Sequence, residues 1–220
     1  MTPRSLLKMV EENERQLALQ IATQDGFDVI PIIRKGEITH YWNQADGEVF
    51  RITRRHQVPH DMSVEHVLPR LNADLIQFVY YRSEVVGLVN LSDLNKPFGR
   101  LTWLQSILEV EQAVLTRALE QRIPETEVIK ALGGAAKKAL RWRAKAKKED
   151  IDTALLTYVG FADILKAAQA LDILKITSSD IQRLKHIRNR LAHGVRNLVE
   201  DRSDGEELEW ALHCCRRILA

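Results

Sequence analysis

From about residue 99 onward the apolar residues recur only at helical spacing, which leaves no room for a sheet in more than half of the chain. Leu101, Leu104, Leu108, Leu115 and Leu119 form one long amphipathic stretch that ends at Pro124, and a second run from Glu125 is interrupted by Gly133-Gly134. Leu155, Val159, Ala162 and Leu165 mark another helix. Ser178-Ser179-Asp180 offers N-cap residues, with Ser179 and Gln182 as a capping box, ahead of the stripe Leu184, Ile187, Leu191, Val195 and Leu198. The last helix is expected from Ser203, with Glu206 as its box partner, to Arg216 and Arg217, cations suited to the negative end of the helix dipole. Four or five such helices make a bundle.

Residues 1 to 98 follow a different pattern, in which helical and strand periods alternate. Leu6, Leu7, Val10, Leu17 and Ile21 fit an amphipathic helix. Asp28-Val29-Ile30-Pro31-Ile32-Ile33 follows, a short apolar run whose proline suits an edge strand or a bulge. Gly36 turns the chain into Glu37-Ile38-Thr39-His40-Tyr41-Trp42. The order then returns: Ser63 can cap a helix carrying Val64, Val67, Leu68 and Leu71, followed by Ile76–Tyr80, a polar turn and Val85–Leu94. Gly36 and Gly87 serve as the matching landmarks of an internal repeat. The expected architecture is α+β, an α/β module at 1–98 followed by an all-α bundle at 99–220.

Composition narrows the class. The 220 residues carry a formal charge of +2, so nucleic-acid affinity has to come from local clustering. No apolar run reaches the ~18 residues of a membrane span, and the first fifteen residues are too charged for a signal peptide. The two cysteines, Cys214 and Cys215, are neighbours in a helical pattern, which points to a reducing, cytoplasmic setting and away from a disulfide framework or structural zinc. No Gly-rich phosphate loop, carboxylate-rich metal cluster or Cys/His ligand spacing occurs, so neither a nucleotide-hydrolysing nor a metal site is expected.

Three of the seven histidines have an arginine five residues upstream: Arg51/His56, Arg55/His60 and Arg188/His193. The first two pairs lie around Pro59 without helical period. The third lies in a helix, in Arg188-Asn189-Arg190-Leu191-Ala192-His193, where Asn189 and His193 share the polar face and Arg188 stands at the edge of the apolar stripe. One further cluster stands out: Lys137, Lys138, Arg141, Arg143, Lys145, Lys147 and Lys148 surround Trp142. Such a patch suits phosphates, with an aromatic ring on which a base can stack.

An all-helical segment of this size with Arg-Asn-x-x-x-His in its penultimate helix resembles the HEPN superfamily, whose signature Arg188, Asn189 and His193 match residue by residue. The resemblance implies metal-independent RNA cleavage to a 2′,3′-cyclic phosphate, with no cofactor. It also implies a homodimer in which two copies of the helix supply two histidines and two arginines. Some HEPN toxins carry a tyrosine two residues after the histidine, where a partner enzyme modifies them; here that residue is Val195. Histidine can move protons near neutrality and arginine can fork onto phosphate oxygens.

The N-terminal part resembles a tandem pair of cystathionine-β-synthase-type (CBS) domains, which bind adenine nucleotides. Gly87-Leu88-Val89-Asn90-Leu91-Ser92-Asp93 follows that family's pattern of Gly, two apolar residues, Ser or Thr, two variable residues and Asp. Asn90 replaces the hydroxyl residue, and Asp93 stands where the ribose-contacting acid stands. In the first copy Thr39 is present, while Trp42 holds the place of Asp93, so one nucleotide site is expected. The combined expectation is a ribonuclease regulated by an adenine nucleotide or related signal, an arrangement that serves stress or phage defence in similar proteins. The competing expectation is a non-catalytic protein that binds adenine nucleotide or RNA and dimerises through its helices. A third is a helical toxin held by an antitoxin.

Overall fold

A computed structural model describes residues 10–11, 24, 27–151, 153–193 and 197–220, with the backbone alone for Val10, Glu11 and His193. Of the helix expected from Leu6 to Ile21, only Val10 and Glu11 are among them, and they lie in a strand. The chain divides into two compact units, residues 1–93 and 94–220. Together they make an α+β protein.

The first unit holds two small sheets. Strands β1 (Val10–Glu11), β2 (Val29–Arg34), β3 (Glu37–Asn43) and β4 (Glu48–Arg51) form one in sequential order, with β1 parallel to β2 and the other pairs antiparallel. Pro31 sits in the part of β2 that the short β1 does not reach, so its missing N–H interrupts no ladder bond on that side. Strand β5 (Gln57–Pro59), helix α1 (Val64–Asp74) and strands β6 (Ile76–Tyr81) and β7 (Glu84–Asn90) follow, with β5 parallel and β7 antiparallel to β6. Helix α1 buries Val67, Leu68 and Leu71, and Tyr41, Ile52, Ile76 and Phe78 join in an apolar cluster that draws on both sheets.

The internal repeat is present, but its period differs from the glycine spacing. Val29–Arg34 returns as Ile76–Tyr81 and Glu37–Asn43 as Glu84–Asn90, each 47 residues on. The β-bulges at Ile32/Ile33 and Val79/Tyr80 and the left-handed turn residues Lys35 and Arg82 keep the same offset. Gly36 is therefore a turn residue, whereas Gly87 lies inside β7 opposite Val79. A Cβ on Gly87 would meet Val79 at 3.7 Å, an ordinary contact, so the backbone there does not demand glycine.

The second unit is helical: α2 (Pro97–Glu120), α3 (Glu125–Leu132), α4 (Ala136–Lys147), α5 (Phe161–Ala170), α6 (Ser178–His193) and α7 (Arg202–Leu219). Gly133–Ala135 forms a 3-10 turn that breaks α3 from α4 at the expected glycines. Helix α2 packs on α5, α6 and α7 through Trp103, Ile107, Val110 and Val114. Its start is tight: a Cβ on Gly99 would stand 2.6 Å from the Leu94 Cα, so only glycine fits. The stripe Leu101, Leu104, Leu108, Leu115 and Leu119 is not the core-facing side of α2. Leu101, Leu108 and Leu119 are well exposed, Leu104 is at the exposed margin and Leu115 is half-buried. The helix carries two apolar faces, and the β-branched and aromatic one won the core.

Candidate functional site

Helix α6 begins one turn-cap earlier than the Ser179/Gln182 spacing indicates. The Asp180 N–H donates to Thr177 Oγ1 at 3.1 Å and the Thr177 N–H to Asp180 Oδ2 at 3.3 Å, a reciprocal capping box. Ile181, Leu184, Ile187 and Leu191 then bury one stripe, and the helix ends at His193. Leu198 is buried as expected, but in the segment that follows, where Val195 and Arg196 are outside the described residues. Helix α7 is likewise capped two residues earlier than Ser203. Asp201 accepts from the Asp204 N–H at 3.1 Å and from Ser203 Oγ at 2.7 Å.

The two arginines at the end of α6 have different surroundings. Arg190 forks onto Asp204, with Nη2 at 3.0 Å from Oδ2, and the same Nη2 donates to the Asn197 carbonyl at 2.9 Å. This hydrogen-bonded pairing holds the Asp204 carboxyl below the usual carboxylate range. Arg188 is half-buried and makes no ion pair with another described residue; it lies near Glu111 of α2. Burial raises the Glu111 carboxyl above its ordinary value, and the Arg188 charge opposes that rise. Asn189 is half-buried beside it. The side chain of His193 lies outside the described residues; its backbone closes the helix, five residues after Arg188.

The segment after α6 is fastened by groups the sequence reading did not single out. Asn95 Oδ1 accepts from the N–H groups of Leu198 and Val199 at 2.6 and 2.8 Å, and Asn95 Nδ2 donates to the Val199 carbonyl at 2.7 Å. Asp204 also accepts from the Glu200 N–H at 2.8 Å. Asn95 and Asp204 thus hold the stretch Leu198–Glu200. Asn95 is about a hundred residues away in sequence, so no local pattern reveals it.

Helix α4 sorts its cations onto two sides. Lys137, Lys138, Arg141, Lys145 and Lys148 follow three- and four-residue steps on one exposed face together with Trp142, which is 51% exposed. Lys145 Nζ lies 5.7 Å from the Trp142 ring centroid, so the indole stands in solvent among cations and not in the core. Arg143 is turned the other way and forks onto Glu125 at 2.5 and 2.6 Å, with Lys147 near the same carboxylate. The face available to a phosphate chain is the first one.

In the first unit, the residues read as a nucleotide site are engaged with each other. The Asn90 N–H donates to Asp93 Oδ2 at 2.9 Å, while Asn90 Oδ1 accepts from the Asp93 N–H at 3.1 Å and from Ser92 Oγ at 2.7 Å. With the 47-residue offset, the counterparts of Asn90 and Asp93 are Asn43 and Asp46, not Thr39 and Trp42. Asn43 Nδ2 donates to Asp46 Oδ2 at 2.5 Å, and Asn43 Oδ1 accepts from the Ala45 N–H at 3.2 Å. An Asn-x-x-Asp turn therefore follows the second strand of the hairpin in both copies. Thr39 lies on β3 and Trp42 is a core residue at 2% exposure.

The remaining Arg/His pairs do not assemble a site. Arg55 pairs with Asp74, and His56 Nδ1 lies 3.3 Å from the Thr53 N–H in a 3-10 turn. Among the described residues no group of three His, Cys, Asp or Glu side chains is placed to hold a metal ion, and no helix is long and apolar enough to cross a membrane. Compared with known proteins, the chain matches no family model, no curated protein and no solved structure.

Proposed function

We propose that the helical unit is a metal-independent endoribonuclease and that the repeat unit before it is a nucleotide-responsive regulator. The observation that carries the reading is the division of labour at the end of α6: Arg190 is committed to Asp204, while Arg188 keeps its guanidinium outside any described ion pair, beside Asn189 and five residues before His193. In this reading Arg188 forks onto the non-bridging oxygens of the scissile phosphate and stabilises the crowded transition state. Asn189 positions the phosphate or ribose. His193 takes the proton from the 2′-hydroxyl, and a second imidazole, from a second copy, protonates the leaving 5′-oxygen. The exposed face of α4, with Trp142 at its edge, holds the rest of the RNA strand. Support for the regulatory half is the duplicated hairpin, Val29–Asn43 and Ile76–Asn90, each preceded by a parallel strand, with Gly87, Asn90 and Asp93 as the ligand-side residues.

Incubation of an RNA pool with the protein, with and without AMP, ADP or ATP, tests this. Wild type should leave 2′,3′-cyclic phosphate ends, His193→Ala should lower the rate by ~10²–10⁴-fold, and Arg188→Ala should do so by ~10²-fold or more. Equal cleavage by wild type and His193→Ala would refute the assignment.

A second reading is favoured by the α4 face alone: a non-catalytic regulator that binds RNA or adenine nucleotide and dimerises through its helices. Under it wild type binds RNA and cleaves none with any nucleotide added. A toxin restrained by an antitoxin would show cleavage that a co-expressed partner abolishes.

A further inference from the structure

Helix α2 is apolar on the side turned away from its core as well as on the side turned into it. Single exposed leucines are ordinary, but a continuous row along one helix is the mark of a buried surface. Leu104, Leu108, Leu115 and Leu119 follow one another at intervals of four, seven and four residues. Leu108 and Leu119 are 53% and 65% exposed, and Leu108 and Leu115 line a shallow groove with Gln105, Glu109, Glu111 and Gln112. Between Leu104 and Leu119 the row reads the same in both directions, with its midpoint between Glu111 and Gln112; Leu101, 61% exposed, lies before it and mirrors Arg122. At a rise of ~1.5 Å per residue the seam is about 22 Å long.

We propose that this face joins two copies of the chain, with α2 packed antiparallel against α2 of a second copy about a two-fold axis at the Glu111–Gln112 junction. The palindrome selects this occupant. A two-fold interface must be self-complementary, so each residue meets the one at its mirrored position. That puts Leu104 against Leu119 of the second copy and Leu108 against Leu115, twice over. It also sets Glu111 opposite Gln112 of the second copy, whose side-chain amide donates to the carboxylate, so the acid at the centre of the seam is not left without a partner. A parallel pairing would stack the two Glu111 carboxylates against each other. The inference does not rest on chemistry at Arg188. Because Glu111 lies near Arg188 in each copy, however, the seam draws both Arg188 residues toward the axis and supplies the second chain that a shared site needs.

Sedimentation of the full chain at micromolar concentration should give a dimer, and Leu108→Glu/Leu115→Glu should raise the dissociation constant by about 100-fold or more with the helical circular dichroism retained. The register has its own test. The double variant Leu104→Cys/Leu119→Cys should cross-link into a covalent dimer on oxidation. Either single variant should not, because residue 104 lies about 22 Å from its own mate in the antiparallel pair. A wild-type monomer, a dimer unmoved by the glutamates, or cross-linking by the single variants would overturn the proposal.

Discussion

Arg188 and Arg190 show how two identical side chains two residues apart take different parts. A rotation of two residues along α6 turns Arg190 toward the start of α7, where Asp204 waits, and Arg188 toward α2. The Arg190–Asp204 pair is largely sheltered, with side chains 15% and 17% exposed. Removing its carboxylate charge in Asp204→Asn should cost about 1.5–3 kcal/mol, the range for a hydrogen bond to a charged group. The pH dependence follows from the depressed carboxyl. Its contribution is complete above the unfolded value of ~3.9 and disappears as pH falls through the lower folded value. Urea unfolding should therefore show the full gap between wild type and Asp204→Asn at pH 7 and a closing gap below about pH 4. A gap independent of pH would mean that the charge of Asp204 is not what stabilises.

At the scale of elements, the repeated turn at the end of the hairpin assigns a structural task to residues read as ligand contacts. Asp93 and Asn90 exchange side-chain and backbone bonds at the end of β7, as Asn43 and Asp46 do in part after β3. Asp93→Ala is expected to lower the stability of the first unit by about 1–2 kcal/mol, whether or not a nucleotide is present. Thermal unfolding followed alongside calorimetric titration with adenine nucleotides separates the roles. An Asp93→Ala protein of unchanged stability that lost nucleotide binding would make Asp93 a ligand residue and not a turn residue. Helix α2 carries a comparable lesson: two apolar faces compete for one core, and Trp103, Ile107, Val110 and Val114 outpack the leucine row.

At the scale of the whole molecule, a formal charge of +2 hides an organised surface. The exposed side of α4 gathers Lys137, Lys138, Arg141, Lys145 and Lys148 around Trp142, whereas Arg143 and Lys147 lie toward Glu125. Reversing Lys137, Lys138 and Lys145 to Glu should weaken RNA binding and reduce its salt dependence by roughly one unit of slope per lost phosphate contact. Lys147→Glu, on the other side, should change the slope little. Fluorescence anisotropy with a labelled single strand at several salt concentrations reads both. Equal effects from the two sides would leave the α4 face without special standing.

Local patterning by itself determined the class of each part of this chain. Helical spacing beyond residue 99, alternating periods before it, the break at Gly133-Gly134 and the clustering of cations in α4 all follow from residues within a few turns of one another; which of those cations share a face does not. The repeat was legible too, since hydrophobic runs return in order. Its true phase was not, because a glycine in a turn and a glycine in a strand look alike until strand pairing is known. The tertiary structure decided which of two apolar faces of α2 is buried, since only the volume left by α5, α6 and α7 distinguishes a leucine row from a branched and aromatic one. It also decided that Arg190 and not Arg188 is held by Asp204, and that Asn95, a hundred residues away in sequence, fastens the segment beyond His193. Those choices depend on which distant groups meet, and one-dimensional spacing carries no information about that.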